Sequence, residues 1–277
     1  MLNKFNNTNK VKKEISKILE YAEKMNCEIK NIPKRLNTLN YFVTGDMYFE
    51  YKRRHSKESE IIDMYLFNGI CIPYVNNNNV IDDIVVIVSK ENKNNPQCVI
   101  HELLHFLSTN LNAKNEIICG IDNFEAPIFI RRGMVAINEG LTDYFAYKIC
   151  GNYYDPKYFK FRYTKEDEKT YYYSTLLINL IAYEDLEMES KLFNAYINND
   201  IEYIYSSLEK AFGINRNKLL NIFNSGEEYA VDKSDVTGYK NYLEDIKEII
   251  KYYYDNVYSK KKKDLDFVEN YLKLFIK

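Results

Sequence analysis

Apolar residues recur every three or four positions between about residues 9 and 26, with Val11, Ile15, Ile18, Leu19 and Ala22 near one face. That period predicts an amphipathic helix. The pattern then changes: segments around Asn40–Val43, Met47–Tyr51, Ile61–Phe67 and Ile70–Val75 are rich in aromatic and β-branched residues, which favour strands. The charged stretch Lys52–Glu58 reads as a hairpin tip, with His55 an ordinary surface residue. Asn76–Asn79 is a polar loop. Ile84–Val88 is apolar throughout and reads as a strand, its place in a sheet, central or edge, left open.

A helix is predicted to begin at Asn94-Asn95-Pro96, where an Asn can cap and proline is tolerated in the first turn. Cys98, Val99, Ile100, Leu103, Leu104, Phe106 and Leu107 make it apolar nearly all round, so it belongs inside a domain. Within it lies His101-Glu102-Leu103-Leu104-His105, and the chain has only one other histidine. Histidines four apart on a helix are offset by about 40° around the axis and lie on one face. Burying two imidazoles and a carboxylate there is costly unless they are paired or hold a metal. Two histidines do not complete a site, and a third ligand is expected from an Asp or Glu.

The segments Ile117–Ile121 and Pro127–Arg131 read as two strands or a hairpin. Met134–Tyr147 follows as a second largely apolar helix, ended by Gly151. Glu139 and Asp143 share one face of it. Paired acids on such a helix call for a cation: one carboxylate can bind metal while the other accepts a hydrogen bond from a ligating histidine. The competing reading is a solvated stripe, with Ile137, Leu141 and Phe145 turned to the core. Beyond about Asp155 the periodicity predicts only helices: Glu168–Tyr183, Met188–Ile197, Ile201–Phe212, Arg216–Phe223, Tyr239–Tyr253 and Leu265–Phe275. Gly213–Asn215 and Asn224–Gly226 are read as the turns bounding the fourth.

Together, His101-Glu102…His105 and Asn138-Glu139…Asp143 resemble the signature of the gluzincin metallopeptidases, the thermolysin-like group. The resemblance covers about residues 84–150, and it implies roles and a fold. His101, His105 and Glu139 would bind Zn2+, and Glu102 would be the general base. Asp143 would hold the far nitrogen of a ligating histidine, and Asn138 would orient the helix start or bind backbone. The implied class is α+β and zincin-like: a mixed sheet-and-helix lobe over 1–152 carrying both zinc helices, then an all-helical lobe over 153–277 completing a cleft. Peptides or proteins are the implied substrates. A developing oxyanion needs a second electrophile beside the metal, which the group usually supplies from a downstream tyrosine or histidine. No histidine follows His105, and Tyr173, in Tyr171-Tyr172-Tyr173, is the first choice. The aminopeptidase members carry a Gly-x-Met-x-Asn-type stretch that is not found here, which favours an endopeptidase. Two other readings stay open: a zincin-fold protein that binds a partner and cleaves little, and a helical interaction protein with a chance motif.

Composition narrows the partners. With 38 basic against 40 acidic residues there is no nucleic-acid or anionic-membrane footprint. Five cysteines, far apart and odd in number, show no disulfide framework. The first residues lack the apolar core of a secretory signal and no stretch has the length of a membrane span, so a cytoplasmic setting is expected.

Overall fold

The computed structural model describes residues 8–30, 32–43, 69–76, 80–123, 128–151, 171–182, 185–231, 233–260 and 266–276. The strands expected at 47–51 and 61–67, and the tip containing His55, lie outside them.

The first helix, α1 (Thr8–Lys24), buries Val11, Ile15, Ile18 and Ala22 along the face its periodicity defines. A short helix α2 (Ile32–Leu36) leads into β1 (Leu39–Val43), and β2 (Gly69–Val75) and β3 (Ile81–Val88) complete a three-stranded sheet. The strand order is β1-β3-β2, with β1 parallel and β2 antiparallel to β3. The apolar run at 84–88 is therefore the central strand. Its alternation serves two faces: Ile84, Val86 and Val88 enter the main core, while Val85 and Ile87 pack with Phe42 on the other side. Among the described residues β2 is an outer strand.

The histidine helix, α3 (Pro96–Ser108), starts where the sequence places its cap: the Asn95 side chain accepts from the Gln97 N–H at 3.1 Å. Its far end is fastened by Arg35. The guanidinium donates to the carbonyls of Leu107 and of Thr109 (3.2 Å) and to Asn110 Oδ1 (2.6 Å). A cation there satisfies carbonyls that the helix leaves without donors and suits the negative end of its dipole. Thr109 turns the chain out into β4 (Thr109–Leu111), which pairs with β5 (Ile117–Cys119), itself paired with β6 (Asp122–Asn123) in a small antiparallel sheet.

The second site helix, α4 (Ile128–Ile149), begins earlier than the pattern indicated. Residues 128–131, read as strand, are its first turn; β-branched residues there mimic strand chemistry, but the apolar period continues unbroken into the helix. α5 (Tyr172–Ala182), α6 (Leu186–Asn198), α7 (Ile201–Phe212), α8 (Arg216–Val231), α9 (Val236–Tyr253), a π-helical turn at Tyr254–Tyr258 and α10 (Phe267–Ile276) follow. The turn expected at Asn224–Gly226 is continuous helix within α8. Gly226 has a packing reason to be there: a Cβ at that position would meet the Tyr242 hydroxyl at 2.7 Å and Tyr173 Cβ at 3.3 Å. A glycine that reads as a breaker is here the price of close helix contact.

One hydrophobic cluster of the described residues runs from Val11 through Leu103, Leu141 and Phe193 to Phe275. The helices after residue 171 thus share their core with α3 and α4. The architecture is mixed α+β, and no helix among the described residues is long and apolar enough to cross a membrane. The five cysteines are free thiols.

Candidate metal centre

α3 and α4 cross so that their polar residues meet inside an otherwise apolar contact. His101 Nε2 lies 3.0 Å from His105 Nε2 and 3.0 Å from Glu139 Oε2, and His105 Nε2 lies 3.3 Å from the Glu139 carboxylate. The side chains are 15% (His101), 8% (His105) and 17% (Glu139) exposed, so the cluster is shielded yet reachable. The spacing bears directly on a metal. Ligand bonds of about 2.0–2.1 Å in tetrahedral array place donor atoms about 3.3 Å apart, close to the separations found. Two nitrogens and one carboxylate also form the donor set of a zinc site that keeps a position open. The residues fit the ion.

The back of each imidazole is held as ligation requires. His101 Nδ1–H donates to Asp143 Oδ1 at 2.7 Å, leaving Nε2 free to offer its lone pair. His105 Nδ1 lies 3.4 Å from Cys119 Sγ, and the Cys119 thiol donates to the His105 carbonyl at 3.4 Å. A sulfur from β5 thus does for His105 what a carboxylate does for His101. The sequence showed only that five scattered cysteines form no disulfide framework, and nothing in their spacing separated Cys119 from the others. Replacing Asp143 by alanine is expected to weaken metal affinity by about 10–100-fold; competition with a chelating indicator measures it, and unchanged affinity removes Asp143 from the ligand support.

Charge within the cluster is strongly redistributed. Burial raises the Glu139 pKa, but His105 and His101 outweigh it and hold the carboxylate far below its ordinary range. Burial opposes protonation of His101 and His105, yet Asp143 chiefly in the first case and Glu139 in the second raise both well above 6.5. Glu102 is 6% exposed; burial pushes it up to about 7, with the two histidines pulling down and Glu139 and Asp143 pushing up. A buried carboxylate so poised beside convergent donors makes this cluster a candidate functional site.

Gly69, at the start of β2, explains how Glu102 fits. A Cβ there would meet Glu102 Oε1 at 2.5 Å, Cγ at 2.7 Å and Cδ at 2.8 Å. The strand approaches the carboxylate closely because this residue has no side chain. Gly69→Val is expected to displace Glu102 and lower any reaction that depends on it by about tenfold or more, with metal binding retained, since misplacement of about 1 Å is costly in catalysis. Parallel turnover and metal assays check this.

Asn138 anchors the neighbouring hairpin: its Oδ1 accepts the Ile121 N–H at 2.9 Å, and the left-handed Gly120 leaves room for it. Tyr173 is elsewhere. It is 3% exposed, stacks on Phe275 and donates its hydroxyl to the Phe275 carbonyl at 3.0 Å. Tyr171, the residue just before α5, is in the left-handed conformation, φ 55°. Burial raises the Tyr171 hydroxyl's pKa far above its usual range, followed by the negative charges of Glu139, Glu227 and Asp143. α5 meets α4 just here, since a Cβ on Gly140, next to Glu139, would lie 2.7 Å from Ser174 Cβ.

The chain matches no protein-family model, no curated protein and no solved structure.

Proposed function

We propose that this protein is a zinc-dependent peptidase of the gluzincin type, with an endopeptidase reaction favoured. The observation that carries the reading is the convergence of His101 Nε2, His105 Nε2 and the Glu139 carboxylate within 3.0–3.3 Å. Asp143 behind His101 and the buried Glu102 on the same helix support it.

His101, His105 and Glu139 would hold the ion, which when bound supplies Lewis acidity toward a water and a peptide carbonyl. Glu102 takes the proton of the attacking water on its carboxylate and delivers it to the leaving amine. A pKa near 7 suits both transfers, because the group is close to balance between base and acid at neutral pH. The Tyr171 hydroxyl, kept protonated by burial beside carboxylates, donates a hydrogen bond to the carbonyl oxygen as negative charge develops there. An extended peptide suits β2: this strand is outermost among the described residues and passes Glu102 at Gly69. A free strand edge binds peptide through main-chain hydrogen bonds. The central β3 has neighbours on both sides and is unsuited to that role.

Metal analysis and digestion of a peptide library test the reading together. The expected result is about one zinc per chain, with cleavage abolished by a chelator and restored by Zn2+. Cleavage indifferent to chelation, or a chain that takes up no metal from zinc-containing buffer, overturns it.

A further inference from the structure

The head of α5 lacks the side chain that normally caps a helix. Its first residues run Tyr171-Tyr172-Tyr173-Ser174, and Tyr171, at the position preceding the helix, offers no oxygen that can turn back to the free N–H groups. Such donors, left buried, are costly. Here the acceptor comes from another helix. Glu227 of α8 accepts the Ser174 hydroxyl at 2.5 Å and hydrogen-bonds the backbone N–H groups of Ser174 and Tyr171. In a capping box these two N–H positions are satisfied from within the helix; a single carboxylate from α8 serves both.

The residue pinned by this arrangement is in an unfavourable conformation. An aromatic residue at φ 55° is uncommon and strained. It persists where surrounding contacts over-determine it. For Tyr171 these are Glu227 at its N–H and the Thr175 N–H and hydroxyl at its carbonyl, both at 2.9 Å. The turn packs on the helix that carries Glu139, because Ser174 sits against Gly140, the next residue along α4. Burial first, then the negative charges of Glu139, Glu227 and Asp143, raise the Tyr171 hydroxyl's pKa, whereas the hydroxyl of Tyr173, two residues on, is spent on the Phe275 carbonyl.

We propose that Glu227 is a positioning residue: by holding Ser174 and the Tyr171 backbone it fixes the left-handed turn that presents the Tyr171 hydroxyl to the substrate side of the metal cluster. The role assigned to that hydroxyl rests on the peptidase reading; the clamp itself does not. Glu227 touches neither substrate nor metal and acts through Tyr171. It also makes the late helix α8, far along the chain from either site motif, part of the site's support.

Glu227→Ala and Glu227→Gln test the proposal by two separate readouts. Amide hydrogen exchange reads the clamp without any activity. In Glu227→Ala the amides of 171–175 are expected to exchange about tenfold faster, while those of 134–147 in α4 stay unchanged. Glu227→Gln keeps an oxygen acceptor and is expected to stay close to the parent. Equal exchange in the alanine variant and the parent overturns the clamp. Should Glu227→Ala fail to fold, Glu227→Asp shortens the arm by one methylene and withdraws the carboxylate from the hydroxyl and both N–H groups, and faster or equal exchange of the same amides supports or overturns the clamp in the same way. Kinetics read the consequence. Tyr171→Phe is expected to lower kcat by about 10²-fold, and Glu227→Ala by about tenfold or more with KM little changed. The double variant should be no slower than Tyr171→Phe alone, because the second loss acts through the first. Losses that multiply in the double variant overturn the positioning role. If the metal-loaded parent cleaves no peptide, exchange still decides the clamp, so the two readings fail separately.

Discussion

Glu102→Gln is expected to lower peptide cleavage by about 10²–10⁴-fold while leaving metal content at the parental level. The substitution changes almost nothing but the ability to carry a proton. Glutamine matches glutamate in size, so it fits the space that Gly69 leaves beside α3. The three residues that could hold a metal are His101, His105 and Glu139, and Glu102 is not among them. What is lost is a buried carboxylate that sits near neutrality in its proton balance. The measurement pairs turnover on a cleaved peptide with metal analysis of the same preparation. Unchanged turnover would remove Glu102 from the proton transfer. Lost metal would mean that the carboxylate belongs to the ligand set and that the division of roles on α3 is wrong. Because zinc binding alone has no need of Glu102, this variant also separates an enzyme from a protein that only binds a partner through the same fold.

How much of the site could be read from the chain depends on which residues helix geometry alone relates. His101 and His105, and likewise Glu139 and Asp143, lie four apart, and a helix puts each pair on one face whatever the tertiary fold. The meeting of the two pairs is different. Thirty-three residues separate His105 from Glu139, and their convergence depends on how β4, β5 and β6 return the chain; the resemblance anticipated it, but no local period could. The tyrosine proposed as oxyanion donor was beyond reach for another reason. With 27 tyrosines, residue type carries little information, and what sets Tyr171 apart is a backbone angle and a capping contact from α8. Cys119 and Gly69 were silent for the same reason: each matters through a neighbour distant in sequence. At fold level the apolar β-branched run at 128–131 passed for strand, and Asn224-Ser225-Gly226 for a turn. The first is the opening turn of α4; the second is helical where close packing against Tyr242 and Tyr173 outweighs local propensity. The centrality of β3 was one of two readings its unbroken apolar run allowed, and burial on both faces decides between them.

Saturating Zn2+ is expected to raise the thermal midpoint by roughly 8–16 °C, and by more at pH 8 than at pH 6. An ion present at about a thousand times its Kd contributes about 4 kcal/mol, and each kcal/mol moves the midpoint of a chain of roughly this size by about 2–4 °C. The pH dependence follows from the charges in the cluster. In the metal-free chain His101 and His105 titrate well above 6.5. Their contribution to stability is therefore complete below about 6.5 and fades as the pH climbs through the raised values. Glu102, raised to about 7, acts in the same sense: its favoured neutral form is lost between about 4.5 and 7. Glu139, held low by the histidines, contributes above about 4.5 and loses that contribution only on acidification. The metal-free protein thus weakens from pH 6 to pH 8. The metal asks for the opposite state, with both Nε2 atoms unprotonated and Glu139 ionised, so its affinity rises over the same interval. The two trends separate the melting curves progressively as pH increases. Scanning calorimetry with excess Zn2+ and with chelator at pH 6, 7 and 8 measures the gap. A gap that is absent, or that narrows toward pH 8, would mean that the histidines hold their protons for each other and for Asp143 and Glu139, not in place of a cation.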